Sequence, residues 1–262
     1  MRYLIIGNGW IGNHLKEYLG EDSQIWDGRI EEFPTEYLPT FDVLINCAAK
    51  TQIDWVEKNK NESLSINALC AGNLAQFCKE EGKKYVFMSS ACIFESKNKE
   101  DIKYEETTPN PKCFYAETKV IAEKLIQESN PDTLIIRPRL PISEVPHPRN
   151  TLNKLKNYPE INDNQESVTI IEDMLPKIKE LMDKGAKGVF HVVNDGTISA
   201  SELATAIGHN HKVVSKDEQD VRMKDEGKTQ RVTTYVGSHR TMLLPHIKLR
   251  IQEIAKNYGN TN

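Results

Sequence analysis

A phenol and an ammonium stand four residues apart in the stretch YAETK, at Tyr115 and Lys119. On a helix this spacing places both side chains on one face. Tyrosine has a reference pKa of about 10 and is a weak acid–base catalyst at neutral pH, but a nearby ammonium stabilises the phenolate and lowers that pKa. The pair is therefore a candidate proton carrier. A surface pair at i and i+4 is the alternative interpretation.

A hydroxyl pair and a thiol precede that helix. The run KYVFMSS, residues 84–90, predicts a strand that ends in Ser89 and Ser90, and Cys92 follows two residues later. Ser90 could hydrogen-bond a substrate oxygen and the phenol of Tyr115, whereas Ser89 is interpreted as a strand or cofactor-loop hydroxyl. The simplest interpretation of each cysteine is burial as a small apolar residue. The five are Cys47, Cys70, Cys78, Cys92 and Cys113.

The elements that must position these groups alternate between strand and helix. Apolar runs predict strands at residues 3–6, 42–49, 84–90, 133–138, 168–170 and 188–193. The first helical pattern opens within the glycine stretch 7–12 and ends at Gly20, and others lie at 62–81, 115–129, 150–157, 173–184 and 199–207 and after Pro245. The alternation predicts an α/β fold, with a Rossmann-type doubly wound parallel sheet over residues 1–140. Residues 141–262 are expected to form a smaller, partly interleaved substrate lobe, some of whose segments return to the sheet. A cleft between the two is the expected ligand site.

The loop after the first strand is a glycine fingerprint made of Gly7, Asn8, Gly9, Trp10, Ile11 and Gly12. Gly7 permits a tight turn, Gly9 lets a pyrophosphate approach the backbone, and Gly12 lets helix and strand pack closely. The N-terminus of the helix then faces the phosphates. The strand–loop–helix context predicts that all six residues bind a dinucleotide; a glycine-rich turn in another α/β protein is the alternative.

The second strand ends in QIWDGR, residues 24–29, where the adenosine ribose is expected. Asp27 could accept a hydrogen bond from a free 2′-hydroxyl, which favours NAD, and Arg29 could pair with a 2′-phosphate, which favours NADP. We expect NADPH, with NADH as the alternative.

Composition narrows the class of protein. The net charge of −4 with scattered basic residues gives no electrostatic footprint for nucleic acid or an anionic membrane. No segment approaches the roughly 20 apolar residues that a membrane span needs. The cysteines are odd in number and lack metal-ligand spacing, which predicts free thiols in a reducing, cytoplasmic compartment and no metal site.

The glycine fingerprint, Ser90, YAETK and Arg137-Pro138 together resemble the extended short-chain dehydrogenase/reductase superfamily. Three stretches look like the branch that contains dTDP-4-dehydrorhamnose reductase: NCAAKTQIDWVE (46–57), INA (66–68) and TPNPKCFYAETK (108–119). Two more are similar to the bifunctional UDP-4-keto-6-deoxyglucose 3,5-epimerase/4-reductases that make UDP-L-rhamnose: RPRLPISEVPHPRNTLNKL (137–155) and SVTIIEDMLPKIKELM (167–182). The likeness extends to about residue 207.

This resemblance implies a role for each candidate. Tyr115 would deliver a proton to the C4 ketone while the cofactor delivers a hydride, Ser90 would polarise the carbonyl, and Lys119 would tune Tyr115 and hold the nicotinamide ribose. Cys92 and Lys154 match the two residues that the bifunctional enzymes use for 3,5-epimerisation. The alternatives are a packed thiol for Cys92 and, for Lys154, a solvated lysine or a diphosphate contact.

Further residues are assigned to binding. Those expected at the cofactor include Cys47, Ala48 and Ala49, in addition to Tyr115 and Lys119; those expected at the nucleotide-sugar substrate are Asn67, Arg139, Arg149 and Asn150. The resemblance suggests a homodimer and leaves UDP and dTDP open. Two other functions also stay open: a reductase without epimerase activity, and a non-catalytic regulatory subunit with a reductase-like fold.

Overall fold

The structure, a computed structural model, describes residues 1–34 and 40–259. The chain forms two compact units, each assembled from separate segments. The first unit comprises Met1–Ile93, Pro109–Arg137 and Ile178–Phe190, and the second comprises Phe94–Thr108, Pro138–Lys177 and His191–Asn262. The assignment of one unit to the cofactor and the other to the substrate remains a prediction.

The predicted strands and helices are present in the predicted order, with shifts at their ends. The structure adds short elements that the sequence did not predict, at residues 53–58, 141–142, 160–162, 165–166, 198–199, 212–214 and 216–225. The strands are β1 (Tyr3–Ile6), β2 (Ser23–Trp26), β3 (Val43–Asn46), β4 (Lys84–Met88), β5 (Leu134–Arg137), β6 (Pro141–Ile142), β7 (Glu160–Asn162), β8 (Gln165–Glu166), β9 (Thr169–Ile170), β10 (Gly188–His191), β11 (Ile198–Ser199) and β12 (Lys212–Val214). The helices are α1 (Trp10–Leu19), α2 (Ile53–Lys58), α3 (Lys60–Leu64), α4 (Cys70–Glu80), α5 (Phe114–Ser129), α6 (Thr151–Leu155), α7 (Ile171–Asp183), α8 (Ala200–Ala206), α9 (Lys216–Asp225) and α10 (Ile247–Gly259).

A six-stranded sheet in the order β10-β5-β4-β3-β1-β2 forms the centre of the first unit. The pairs β1–β2, β1–β3, β3–β4 and β4–β5 are parallel. Strands β1, β3 and β5 are buried along their whole length, as continuous apolar runs in a parallel sheet require. The strand order reverses beside β1, which is the arrangement of a doubly wound sheet. The fold-class prediction is confirmed.

The predicted helix at 62–81 is interrupted by a wider turn. Between α3 and α4 the segment Ser65–Leu69 is a π-helical turn, in which Ile66, Asn67 and Ala68 are buried. Such turns are rare and are found disproportionately at functional sites. Here the turn directs the Asn67 side chain into the first unit, where it accepts from the Lys50 amide at 2.8 Å and donates to Thr118 at 3.1 Å.

The second unit contains three small sheets, β11-β8, β12-β7 and β6-β9. Its core includes Ile142, Leu152, Ile170, Leu203 and Ile254. The capping box predicted from SASE is present, because Ser199 and Glu202 bond reciprocally to each other's backbone at the start of α8. Within residues 1–34 and 40–259, no helix is long and apolar enough to cross a membrane.

Candidate active site

The glycine loop between β1 and α1 tolerates no side chain at two of its positions. Gly7 has φ 106°, and a Cβ atom there would lie 2.6 Å from the Ala48 amide nitrogen. A Cβ atom at Gly12 would overlap the Gly7 carbonyl oxygen. Gly9 begins α1 without a side-chain cap. These features leave bare backbone at a helix N-terminus, which suits a pyrophosphate.

The loop after β3 packs against the glycine loop. The Ala48 amide donates to Asn46 Oδ1 at 3.0 Å, and the Cys47 amide donates to the Ile6 carbonyl at 2.8 Å. Burial raises the pKa of the Cys47 thiol to about 12. The predicted cofactor residues Cys47 and Ala48 are therefore brought beside the predicted phosphate-binding loop.

The end of β2 carries the two residues that could read the adenosine ribose. Asp27 and Arg29 are both exposed. The Arg29 guanidinium already has acidic neighbours, since Nη2 lies 2.9 Å from Glu31 Oε1 and Nε lies 3.8 Å from Glu32 Oε1. Any 2′-phosphate at this position would compete with these carboxylates for Arg29.

The strand that precedes the predicted catalytic serine is shorter than its sequence indicates. Strand β4 ends at Met88, so Ser89 and Ser90 lie just beyond it. Ser90 is half-buried, and its Oγ accepts from the Cys92 amide at 3.2 Å. Ser89 is buried and its hydroxyl donates to Glu123. Ser89 is thus bound within the fold, while Ser90 retains partial exposure.

Lys119 lies on α5 with only 2% of its surface exposed. Its Nζ donates to the Met88 carbonyl at 2.9 Å and lies 4.6 Å from the centre of the Phe87 ring. Burial lowers the pKa of Lys119 to about 8, although Cys92, Glu123 and Cys47 act in the opposite direction. The ammonium is therefore poised to titrate near neutral pH.

The expected lowering of the Tyr115 pKa is wrong for this structure. Burial raises that pKa well above its ordinary value, and the nearby thiols of Cys92 and Cys113 act in the same direction. The physical reason is that the phenolate would lie in an apolar pocket, while the Lys119 ammonium donates to the Met88 carbonyl. Tyr115 is accordingly a protonated phenol at neutral pH.

Two thiols flank this phenol. Cys92 and Cys113, each 8% exposed, form a buried cluster with Ala116, against which Tyr115 and Ile53 pack. No disulfide joins the five cysteines in the part of the chain that the structure describes. Cys113, two residues before Tyr115, is buried as the sequence predicted for each cysteine, but its place beside the phenol was not predicted.

The four candidate site residues of the second unit differ in burial and in the partners of their side chains. Asn150 is fully buried, caps α6, and donates to the Ser143 carbonyl and the Tyr258 hydroxyl at 2.8 and 2.7 Å. Arg139 is buried, pairs with Glu166 and donates to the Val232 carbonyl at 2.8 Å. Both side chains thus hold the second unit together, and a substrate role for either stays a prediction.

Arg149 and Lys154 are the exposed members of that group. Partial burial of the ammonium lowers the pKa of Lys154, and the positive charge of Arg149 lowers it further. That direction suits a proton carrier. Asn67, the substrate candidate of the first unit, instead bonds the backbone of Lys50 through both its amide atoms.

The first unit therefore brings Ser90, Cys92, Tyr115 and Lys119 together at the carboxyl end of β4. A cavity of about 350 Å³ lies elsewhere, at the amino ends of β3, β4 and β5. Ligands of doubly wound sheets bind at the carboxyl ends of the strands, so the cavity does not mark this site. Lys79, which lines this cavity, lies in the last turn of α4, where its charge complements the helix C-terminus.

A doubly wound sheet with a glycine loop and a Tyr–Lys pair on the helix after β4 defines an extended short-chain dehydrogenase/reductase. More narrowly, the chain belongs to the RmlD substrate binding domain family, whose model matches residues 7–231. The predicted resemblance is thereby confirmed.

Similar proteins carry two kinds of name. The chain is 30% identical over 223 residues to the Arabidopsis thaliana trifunctional UDP-glucose 4,6-dehydratase/UDP-4-keto-6-deoxy-D-glucose 3,5-epimerase/UDP-4-keto-L-rhamnose-reductase, covering 78% of this chain but only 33% of that protein. It is 29% identical over 219 residues to the bifunctional dTDP-4-dehydrorhamnose 3,5-epimerase/dTDP-4-dehydrorhamnose reductase of the same plant, covering 77% and 72%.

Solved structures share the fold. The UDP-rhamnose synthase L780 of Acanthamoeba polyphaga mimivirus superposes with a TM-score of 0.86 at 22% identity, covering 98% of this chain and 99% of that one. The dTDP-4-dehydrorhamnose reductase of Bacillus anthracis, solved in complex with NADP, has a TM-score of 0.79 at 22% identity over 98% of both chains.

Proposed function

We propose that this chain is an NADPH-dependent nucleotide-sugar 4-keto reductase that also epimerises its substrate at C3 and C5, converting UDP-4-keto-6-deoxyglucose to UDP-L-rhamnose. The observation that carries the proposal is the grouping of Ser90, Cys92, Tyr115 and Lys119 at the end of β4 in the first unit. The names of the relatives support both the reductase and the epimerase parts.

The residues of the glycine loop fit the cofactor. A side chain at Gly7 or Gly12 would fill the space that bare backbone leaves beside Ala48 and at the start of α1. Gly7, Gly9 and Gly12 would hold the pyrophosphate, and Asp27 or Arg29 would meet the adenosine ribose. When bound, NADPH supplies the hydride for the ketone carbon.

The protonation state of Tyr115 matches reduction rather than oxidation. A phenol whose pKa is raised by burial is fully protonated at neutral pH and can donate its proton to the ketone oxygen as negative charge develops there. The Ser90 hydroxyl is half-buried and accepts from the amide of Cys92, whose thiol acts on Tyr115, and it can donate a hydrogen bond to the same oxygen. The positive charge of Lys119 then stabilises the phenolate that Tyr115 becomes.

Epimerisation needs a base and an acid that act on carbons next to the ketone. Those C–H groups are acidic enough for positioned side chains to exchange them. The Cys92 thiol packs in the same cluster as Tyr115, which supports Cys92 as one proton carrier. The lowered pKa of Lys154 supports its predicted role as the other.

The test is product analysis of purified protein with NADPH and UDP-4-keto-6-deoxyglucose, with the dTDP ketosugar in a parallel arm. We expect UDP-L-rhamnose from the wild type and a loss of about 10²-fold or more in kcat for Tyr115→Phe. No NADPH oxidation with either ketosugar would overturn the reductase assignment and favour the binding-subunit alternative.

A second arm isolates epimerisation. Without NADPH, the wild type in D₂O should incorporate deuterium at C3 and C5 of the ketosugar. The variants Cys92→Ser and Lys154→Gln should lose that exchange but should still reduce a ketosugar that is already epimerised. Lys156→Gln is the matched control, because Lys156 is exposed and lies two residues after Lys154, and it should retain the exchange. Undiminished exchange in Cys92→Ser would leave a reductase without the proposed epimerase chemistry.

A further inference from the structure

Glu123 is a buried carboxylate on α5 that the proposed reaction does not use directly. It is 4% exposed and lies four residues after Lys119 and eight after Tyr115, so the three side chains share a helix face. It accepts hydrogen bonds from the Ser89 hydroxyl and from two nitrogens of Arg137, one of them Nε at 2.9 Å. One carboxylate therefore binds groups at the ends of both β4 and β5.

The fold alone does not require such a group. Desolvation of a buried ion pair offsets much of its attraction, and apolar replacements of similar volume are often equally stable. Both members of the Glu123–Arg137 pair are 6% or less exposed. Their position beside the candidate catalytic groups therefore calls for an explanation other than stability.

The geometry connects Glu123 to the placement of Ser90. Two contacts join the end of β4 to α5: Lys119 Nζ donates to the Met88 carbonyl at 2.9 Å, and the Ser89 hydroxyl donates to Glu123. Ser90 follows these two anchored residues directly. Displacements of about 1 Å in a catalytic group can cost two orders of magnitude in rate.

We propose, on the basis of the reductase function above, that Glu123 is a positioning residue that fixes Ser90 and the Lys119 ammonium relative to Tyr115. The electrostatics agree with the geometry. The titratable groups that act on Lys119 are the thiols of Cys92 and Cys47, from the loops after β4 and β3, and Glu123 on its own helix. The Glu123 carboxylate opposes the effect of burial and favours the charged ammonium.

The test uses the full chain with Glu123→Gln, which keeps the size of the side chain and removes its charge. We expect the alkaline limb of the kcat–pH profile to move down by about one unit, so that kcat falls about tenfold above pH 8.5 and much less at pH 6.5, with KM for the ketosugar unchanged. Ser89→Ala leaves the Glu123–Arg137 pair in place and should lower kcat about fivefold at every pH without moving the limb.

A second readout does not depend on the reaction. NMR of protein labelled with ¹³C at lysine Cε, assigned with Lys119→Met, follows the titration of Lys119 directly, and Glu123→Gln should lower its midpoint by about one unit. An unmoved midpoint, or a uniform loss of kcat that follows only the melting temperature, would overturn the positioning role. Failure of the wild type to reduce ketosugars would instead count against the proposed function.

Discussion

The burial of Lys119 predicts that removing this lysine stabilises the protein at neutral pH while inactivating it. Burial lowers the pKa of Lys119 from 10.5 to about 8. Each unit corresponds to about 1.4 kcal/mol, so keeping the ammonium charged costs the folded state roughly 3 kcal/mol at pH 7. Lys119→Met, of similar volume, loses the hydrogen bond to Met88, worth about 1 kcal/mol. The net expectation is a gain of about 2 kcal/mol in the free energy of unfolding.

The sign of the pH dependence follows from the lowered pKa. Between the folded value of about 8 and the unfolded value of 10.5, the unfolded chain binds more protons at Lys119 than the folded chain does. The stability of the wild type therefore rises with pH across this window, and at pH 9.5 the cost has fallen to roughly 1.4 kcal/mol. The advantage of Lys119→Met over the wild type should then nearly vanish.

Urea unfolding at pH 7.0 and 9.5 measures both quantities, and at pH 7.0 the melting temperature should rise by about 4–8 °C. Lys124→Met is the matched control, because Lys124 lies on the same helix and its side chain is 76% exposed. The control should change stability by less than about 0.5 kcal/mol at either pH. A destabilised Lys119→Met at pH 7.0, or a gain equal at both pH values, would refute the reasoning.

Two further predictions concern the cofactor. Gly12→Ala places a Cβ atom against the Gly7 carbonyl oxygen, which is a backbone atom and cannot move alone. The affinity for NADPH, measured by fluorescence titration, should therefore fall about 30-fold or more. Near-wild-type binding would contradict the close packing of the loop. Glu31→Gln removes the carboxylate that lies 2.9 Å from the Arg29 guanidinium, and the affinity for NADPH relative to NADH should rise about threefold. Arg29→Ala should lower the same ratio of affinities. An unchanged ratio in both variants would place the 2′-phosphate away from Arg29.

Local sequence patterns were sufficient to predict most strands and helices of the first unit. The run YLII followed by the glycine fingerprint identified β1, the loop and α1, because a buried parallel strand and a glycine turn are both encoded within a few residues. YAETK predicted a helix that carries Tyr115 and Lys119, and both lie on α5. Alternation of strand and helix then left few arrangements other than a doubly wound sheet.

The environment of each candidate could not be read from the sequence in the same way. The pKa of Tyr115 is raised first by burial and then by the Cys92 thiol, which lies 23 positions earlier in the chain and reaches the phenol only through packing. Arg139 stays a predicted substrate residue, and its ion pair with Glu166, from β8 in the second unit, was not predicted. The environments of Tyr115 and Arg139 both depend on contacts between residues that are far apart in sequence.

The buried charges of α5 separate what the fold needs from what the chemistry needs. An apolar residue at Lys119 would relieve a desolvation cost of roughly 3 kcal/mol, which is a substantial part of the 5–15 kcal/mol that stabilises a typical domain. Glu123 reduces that cost only by adding a second buried charge, which Arg137 must in turn neutralise. A helix selected for stability alone would use apolar side chains at these positions. The cost is understandable if an ammonium must remain charged on the helix face that carries Tyr115 while a phenolate forms there.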